Sequence, residues 1–355
     1  MTVPSRPPLP ANEATSNRPT PLGGRQPTRK LGHLRGAAPG PTLFCVGSLH
    51  GNEPAGFEAL TRVVEELRAW EERGAALPRG DFYAMTGNLE ALRAARRFVE
   101  RDLNRGWTHD RMELLRGEGP RNVEDREMLA LQEALEEARD AARGGLYLLD
   151  LHTTSGDSPP FASILSEPER HGFALRFPVP VVLGIEENLD GTLIEWAERH
   201  GYRGAVFEGG RHLDPLSTDH DEAAVWTALA TVGLLGDLDD WPAARRRVEW
   251  AEGALREAAG DIPHLFTISH RHPIGADTSF HMVPGLRSFQ PVARGDLLAY
   301  QDGAEVRALS SGRILMPLYQ DQGDEGFFLV REVDRPSSPE RAAPPRAGTS
   351  PLGGR

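Results

Sequence analysis

The sequence predicts an α/β fold, a largely parallel sheet with helices on both faces, followed by a small all-β domain. Three observations carry this expectation. From about residue 38, short apolar runs alternate with stretches whose apolar residues recur at helical spacing. After about residue 259 the helical period stops, and β-like runs separated by turn dipeptides replace it. The two ends are Pro-rich: residues 1–30 and 336–355 hold 12 of the 29 prolines. Such segments cannot bury enough apolar surface to offset the entropy of ordering. The expected organisation is therefore a disordered tail over 1–37, an α/β domain over 38–258, a small β domain over 259–334 and a second disordered tail over 335–355.

Within the α/β part, residues 42–46 (Thr-Leu-Phe-Cys-Val) read as a strand and 47–53 as the turn after it. Pro54 suits the first turn of a helix running to about 73, with Phe57, Leu60, Val64 and Leu67 on one face. Residues 82–86 form a second strand. Asn122 caps a helix over 123–143, striped by Met128, Leu131, Leu135 and Ala138 and ended by Gly144. Residues 146–151 are a buried strand, with further strands at 161–165, 180–184 and 205–207 and helices at 192–200 and 223–234. The run Asp219-His220-Asp221 reads as a helix N-terminus. In the β part, runs at 264–269, 279–283, 296–300, 306–309 and 327–333 are separated by Pro284-Gly285, Asp302-Gly303 and Gly312.

Composition narrows the chemistry. Cys45 is the single cysteine, which excludes an internal disulfide and Cys-rich metal sites; its apolar run marks it as a small buried hydrophobe. Lys30 is the only lysine, so no P-loop, Schiff-base or biotinyl lysine is available within the folded body. The net charge is −12, yet the tails are basic (+4 over 1–30, +2 over 336–355), so the body between them carries −18. Such a body argues against a nucleic-acid partner, which depends on clustered Lys and Arg. No apolar run is long enough for a membrane span, and the first ten residues lack the apolar core of a secretory signal. A cytoplasmic protein is expected.

Ligands of open α/β sheets bind beyond the carboxyl ends of the strands, and two predicted strands end in histidine: Val46-Gly47-Ser48-Leu49-His50-Gly51-Asn52-Glu53 and Leu149-Asp150-Leu151-His152-Thr153-Thr154. A His-x-x-acid spacing alone arises about twice by chance in a chain of this composition. Here Gly51 and Asn52 permit a tight turn that brings His50 and Glu53 to one point, and a carboxylate suits the start of the helix at Pro54. With His152 on a neighbouring strand, His50 and Glu53 would complete the His₂Glu set of catalytic zinc sites. Asp150 points to the same side as His152 and can orient an imidazole. The cluster from Arg97 to Arg105 offers an arginine for a developing oxyanion and, in Asn104 and Arg105, donors for a carboxylate. Glu208, ending a strand before Gly209-Gly210, is placed for general-base work. Arg211 and His212 fall where a cleft wall would run.

Taken in order, His50-Gly51-Asn52-Glu53, Arg97 eight residues before Arg105 within Asp102-Leu103-Asn104-Arg105, Asp150-Leu151-His152-Thr153-Thr154-Ser155 and Phe207-Glu208-Gly209-Gly210 resemble the succinylglutamate desuccinylase/aspartoacylase family. The resemblance runs from about Pro41 to Val333. It implies a zinc-carboxypeptidase-like sheet, largely parallel or mixed, with a β-barrel-like C-terminal domain. It implies one Zn2+ per chain on His50, Glu53 and His152, Glu208 as general base, Arg97 on the scissile carbonyl, and Asn104 and Arg105 on the substrate carboxylate. Two positions depart from the aspartoacylase pattern. A further arginine ten residues before the catalytic glutamate is replaced by Glu198, beside Arg199, and a C-terminal tyrosine is replaced by a phenylalanine in Gly326-Phe327-Phe328, downstream of Tyr319.

The expected function is a zinc-dependent amidohydrolase cleaving the amide of an N-acyl amino acid or a similar small carboxylated amide. A metallocarboxypeptidase shares the metal logic, and a non-catalytic zinc or ligand-binding protein shares the fold. The expected partner is a small carboxylated substrate, with neither nucleic acid nor membrane. The acyl group, the amino acid and the oligomeric state, a homo-oligomer included, stay open.

Overall fold

In the second strand Leu43 and Cys45 point into one apolar core and Phe44 and Val46 into another, and all four are fully buried. Side chains alternate across a strand, so an unbroken apolar run requires helices on both faces. The computed structural model describes residues 26–166, 172–275 and 277–333; the expected tails at 1–25 and 335–355 lie outside them. In chain order the elements are β1 (Lys30–Arg35), β2 (Ala38–Gly47), α1 (Ala55–Glu72), β3 (Arg79–Thr86), α2 (Leu89–Arg93), α3 (His109–Glu118), α4 (Val123–Asp140), β4 (Leu146–Thr154), β5 (Phe161–Ile164), β6 (Val181–Leu183), α5 (Leu193–Arg199), β7 (Tyr202–Arg211), α6 (Pro215–Thr231) and α7 (Pro242–Ala259). The β-rich part follows as β8 (Leu265–Pro273), β9 (Phe280–Met282), β10 (Pro291–Val292), β11 (Leu297–Gln301), β12 (Ala304–Arg307), β13 (Gly312–Leu315) and β14 (Glu325–Glu332).

The large sheet is mixed and runs β1-β3-β2-β4-β7-β5-β6-β8-β14-β13-β10. Its centre, β3-β2-β4-β7, is parallel, while β1 and β5 enter antiparallel. Helices α1, α6 and α7 cover one face and α3, α4 and α5 the other. This is the α/β architecture that the alternating pattern predicts. The C-terminal strands join the same sheet, because β6 pairs in parallel with β8. Only β12-β11-β9 form a separate three-stranded sheet, and Leu298, Ile314, Phe327 and Leu329 fill a core of their own there. No helix among the described residues is long and apolar enough to cross a membrane.

Three local features differ from the sequence reading. Strand β1 lies inside the stretch assigned to the N-terminal tail; it contains no proline and buries Leu34, which opposes Phe82 of β3. Helix α6 starts eight residues before the expected 223, so Asp219-His220-Asp221 is helix interior. The cap is Asp214, whose side chain accepts the Leu216 N–H at 3.0 Å, with Pro215 in the first turn. Gly312, read as a turn, opens β13.

Leu149 is fully buried in β4 between its two parallel neighbours. Leu149→Ala is expected to cost roughly 2–5 kcal/mol of unfolding free energy, measured as a shift of the denaturant midpoint.

Candidate active site

The turn after β2 is built by close backbone approach. A Cβ on Gly51 would lie 2.0 Å from the carbonyl carbon of Ala91 in α2, so only glycine fits. The Gly51 N–H donates to the Arg97 carbonyl at 3.1 Å, tying this turn to the loop that carries Arg97. Ser48, at φ 62°, turns the chain, and its hydroxyl donates to the Glu53 carbonyl at 2.8 Å. The turn brings His50 Nδ1 to 2.9 Å from Glu53 Oε1.

Strands β4 and β7 bring the second half. Their parallel register sets His152 opposite Glu208. In β4, Leu148 faces the α4–α5 core and Leu149 and Leu151 the other one; in β7, Val206 faces the α4–α5 core and Ala205 and Phe207 the other. Period-two alternation therefore sends Asp150, His152 and Glu208 to the α4–α5 side. His152 Nδ1 lies 3.2 Å from Glu53 Oε2, which also accepts the Thr153 N–H at 2.9 Å. His50, Glu53 and His152 are buried, and one ligand atom from each falls within 4.8 Å of the others, a group that could hold a metal ion. Both imidazoles turn Nδ1 toward Glu53 and the opposite nitrogen toward a second carboxylate. His50 Nε2 is 3.2 Å from Asp102 Oδ1, and His152 Nε2 is 3.0 Å from Asp150 Oδ2, though out of line for a hydrogen bond. That arrangement fixes the ring orientation a metal ligand needs.

Asp102 also holds Arg97, which donates to its Oδ2 from Nε at 3.0 Å and reaches it with Nη2 at 2.9 Å; Arg97 Nη1 is 3.8 Å from Glu53 Oε1. The loop is pinned from beneath by Glu124 in the first turn of α4. Its fully buried carboxylate accepts the N–H groups of Val99, Glu100 and Arg101 at 2.7, 3.1 and 3.3 Å. Asn104 accepts the Leu193 N–H at the start of α5 at 2.8 Å, which leaves its amide NH₂ as the group to offer a ligand. Arg105 donates to Glu325 Oε2 at 2.9 Å, while its buried Nε has no partner.

Burial works against Glu53 ionising, but His50 and His152 outweigh it and hold its carboxyl well below the usual range. Burial likewise opposes a charge on His152, yet Asp150 and Glu53 raise its pKa well above the ordinary imidazole value. For Glu208 the balance goes the other way. Burial outweighs the pull of His152 and, with Glu53 and Glu186 nearby, pushes its carboxyl up to about 8; its Oε2 has no partner. Behind it, Asp221 of α6 is fully buried with both oxygens unpartnered and is raised well above the ordinary value by burial and by Glu208. A Cβ on Gly209 would come within 2.4 Å of Asp221 Oδ1, so glycine is what lets the strand that carries Glu208 pass over this helix.

All seven residues singled out in the sequence (His50, Glu53, Arg97, Asn104, Arg105, His152 and Glu208) line one cavity of about 70 Å³. A second lobe of about 80 Å³ shares Arg97, Arg105, Ile185, Leu189 and Met316 and adds His212, Gln320, Glu325 and Phe328. The Phe328 side chain thus lies on the cleft wall, whereas the Tyr319 hydroxyl donates to the Val283 carbonyl at 2.7 Å. Glu198 accepts the Gly204 N–H at 2.6 Å, and Arg199 pairs with Glu195 on the surface of α5; neither lines the cavity. Sequence reasoning missed Glu186, which also faces the inner lobe. Its signal was positional: it follows β6 by three residues, at a carboxyl end of the sheet. His212, joined to Thr153 Oγ1 at 2.7 Å, borders the outer lobe.

Fold and site together define an α/β protein with a His₂Glu cleft at the carboxyl ends of a mixed sheet. Residues 39–199 match the succinylglutamate desuccinylase/aspartoacylase catalytic domain. A succinylglutamate desuccinylase of Pseudomonas fluorescens is 40% identical over 63 residues, a match that spans only 18% of that protein's length. The succinylglutamate desuccinylase of Burkholderia pseudomallei is 28% identical over 276 residues, 74% of this chain and 70% of that one. The crystal structure of a succinylglutamate desuccinylase/aspartoacylase from Rhodobacter sphaeroides shares the fold, with a TM-score of 0.62 at 16% identity over 85% of this chain and 88% of that one.

Elemental analysis of the purified protein is expected to find about one divalent ion per chain, lost in His152→Ala. A metal content equal in the two proteins would remove these three residues as its ligands.

Proposed function

We propose that this protein is a zinc-dependent amidohydrolase that cleaves the amide of a small N-acyl amino acid or related carboxylated amide. The observation that carries the reading is the pairing of His152 with Glu208 across β4 and β7, which sets a buried carboxylate with an unpartnered Oε2 beside the His₂Glu group in one small cavity. The donor set fits zinc: two imidazole Nδ1 atoms and a carboxylate converge, the far imidazole nitrogens face Asp102 and Asp150, and the surrounding buried carboxylates need a cation. Bound there, zinc supplies Lewis-acid polarisation of the carbonyl and acidifies a water.

The chain's own groups divide the remaining work. Glu208 takes the proton of the attacking water on its free Oε2 and passes it to the leaving nitrogen, which raised basicity at a buried carboxylate favours. Arg97, held by Asp102 through Nε and Nη2, keeps Nη1 for the carbonyl oxygen as it becomes anionic. The Asn104 amide and the unpartnered Arg105 Nε–H receive the substrate's carboxylate. Two lobes of about 70 and 80 Å³ suit a small acyl group and a single amino acid, which favours this reading over a peptide-trimming carboxypeptidase.

Glu208→Gln is expected to retain the metal and lose turnover by roughly 10²–10⁴-fold, read by steady-state assay beside elemental analysis. Full activity in that variant would remove the base assignment. Arg105→Ala is expected to raise KM for carboxylated amides far more than for uncharged ones; an equal loss on both would remove the clamp.

A further inference from the structure

The charges around the cleft do not close. Both guanidinium groups that line it are committed to carboxylates of the protein itself, Arg97 to Asp102 and Arg105 to Glu325 and Asp324. Glu53 is matched by two imidazoles and the Thr153 N–H, and it belongs to the metal-binding group. Glu208 is reserved for proton transfer. One carboxylate is left over: Glu186 is 4% exposed and its Oε2 has no partner. It lies in the inner lobe among Phe161, Ile185 and Val206. A buried carboxyl oxygen without a donor is destabilising, and the apolar frame strengthens any interaction that removes the deficit.

We propose that Glu186 selects the substrate, taking a primary ammonium group that the N-acyl amino acid carries in addition to its carboxylate. The assignment rests on the hydrolase reading above and narrows its substrate class to amides of diamino acids. The complement to Glu186 must bring donors and positive charge into about 70 Å³. An ammonium does both. A hydroxyl would leave the charge unmatched, and a guanidinium adds four heavy atoms where an ammonium adds one. A purely dicarboxylic substrate would bring a second carboxylate beside Glu186 and Glu208, where Arg97 already faces Asp102 and Arg105 has only its Nε–H to spare, for the first carboxylate. Burial raises the Glu186 carboxyl to about 7, outweighing the pull of His152 and Arg105, as expected of a carboxylate whose counter-charge arrives with the ligand.

The test compares Nα-acetylornithine with its uncharged counterpart Nα-acetylnorvaline on the zinc-loaded wild type and Glu186→Gln. The wild type is expected to prefer the ornithine amide in kcat/KM, and the ratio of the two substrates is expected to fall roughly 30-fold in the variant. Glu186→Asp, which keeps the charge but withdraws it, should give an intermediate ratio and covers the case of a poorly folding glutamine variant. In parallel, calorimetry gives the ratio of Kd for free ornithine and norvaline on each protein, with the same fall expected. That arm is read whether or not either amide is hydrolysed. Inactivity on both amides with a Glu186-dependent binding ratio would refute hydrolysis of this class and keep the ammonium site. Hydrolysis with a substrate ratio unchanged by Glu186→Gln would keep the hydrolase and overturn the proposal.

Discussion

The architecture follows from a dryness constraint: strands β2, β4 and β7 have no wet face. Their side chains alternate between two apolar cores, so a polar group can sit only where the helical cover ends, beyond the carboxyl termini. Register then does the rest. Once β4 and β7 pair in parallel through Leu149 and Ala205, the residues that emerge from the sheet are His152 on one strand and Glu208 on its neighbour. Their side is fixed by parity, since a slip of one residue would turn both into the opposite core. The turn after β2 adds His50 and Glu53 at the same level, because β2 is the other hydrogen-bonded neighbour of β4.

Electrostatics organises what geometry collects. Asp102 serves His50 and Arg97 together, so the ring that faces Glu53 and the guanidinium beside it share one anchor. The anchor is itself positioned by Glu124, whose carboxylate collects three successive backbone N–H groups and thereby fixes the path of residues 99–101. Replacing loop flexibility by a buried, fully hydrogen-bonded carboxylate is how a charged loop becomes a rigid part of a site. The inner carboxylates, Glu186, Glu208 and Asp221, lack equivalent donors, and all three have raised pKa values through burial.

Much of this was legible in the sequence because its signals are local. Apolar runs, Pro54, the Asn122 cap and the histidines at strand ends each declare themselves within a few residues. The Cys45 reading as a buried hydrophobe needs only its neighbours and agrees with its full burial. What escaped depends on distant partners. Strand β1 exists because β3 offers an edge; α6 begins early because Asp214 and Pro215 start it ahead of its apolar stretch. The joining of β8 to β6 has no sequence signature, since either strand reads the same with or without the other. Glu186 was hidden for a related reason: one acidic residue in a short turn acquires meaning only when Phe161, Val206 and Glu208 close around it.

The joining of β6 to β8 also sets the mechanics of the cleft. Met316, Phe328 and Glu325, which wall the outer lobe, lie on or beside strands laced by hydrogen bonds into the same sheet as His152. Swinging the C-terminal part away as a hinged lid would shear those rungs together, a cost borne by the whole sheet. Compliance must therefore come from connections outside the rungs, the 185–192 turn and the 316–324 loop. The cleft is then bordered by two connections set in a stiff frame, and heat or denaturant should disassemble that frame in one cooperative event.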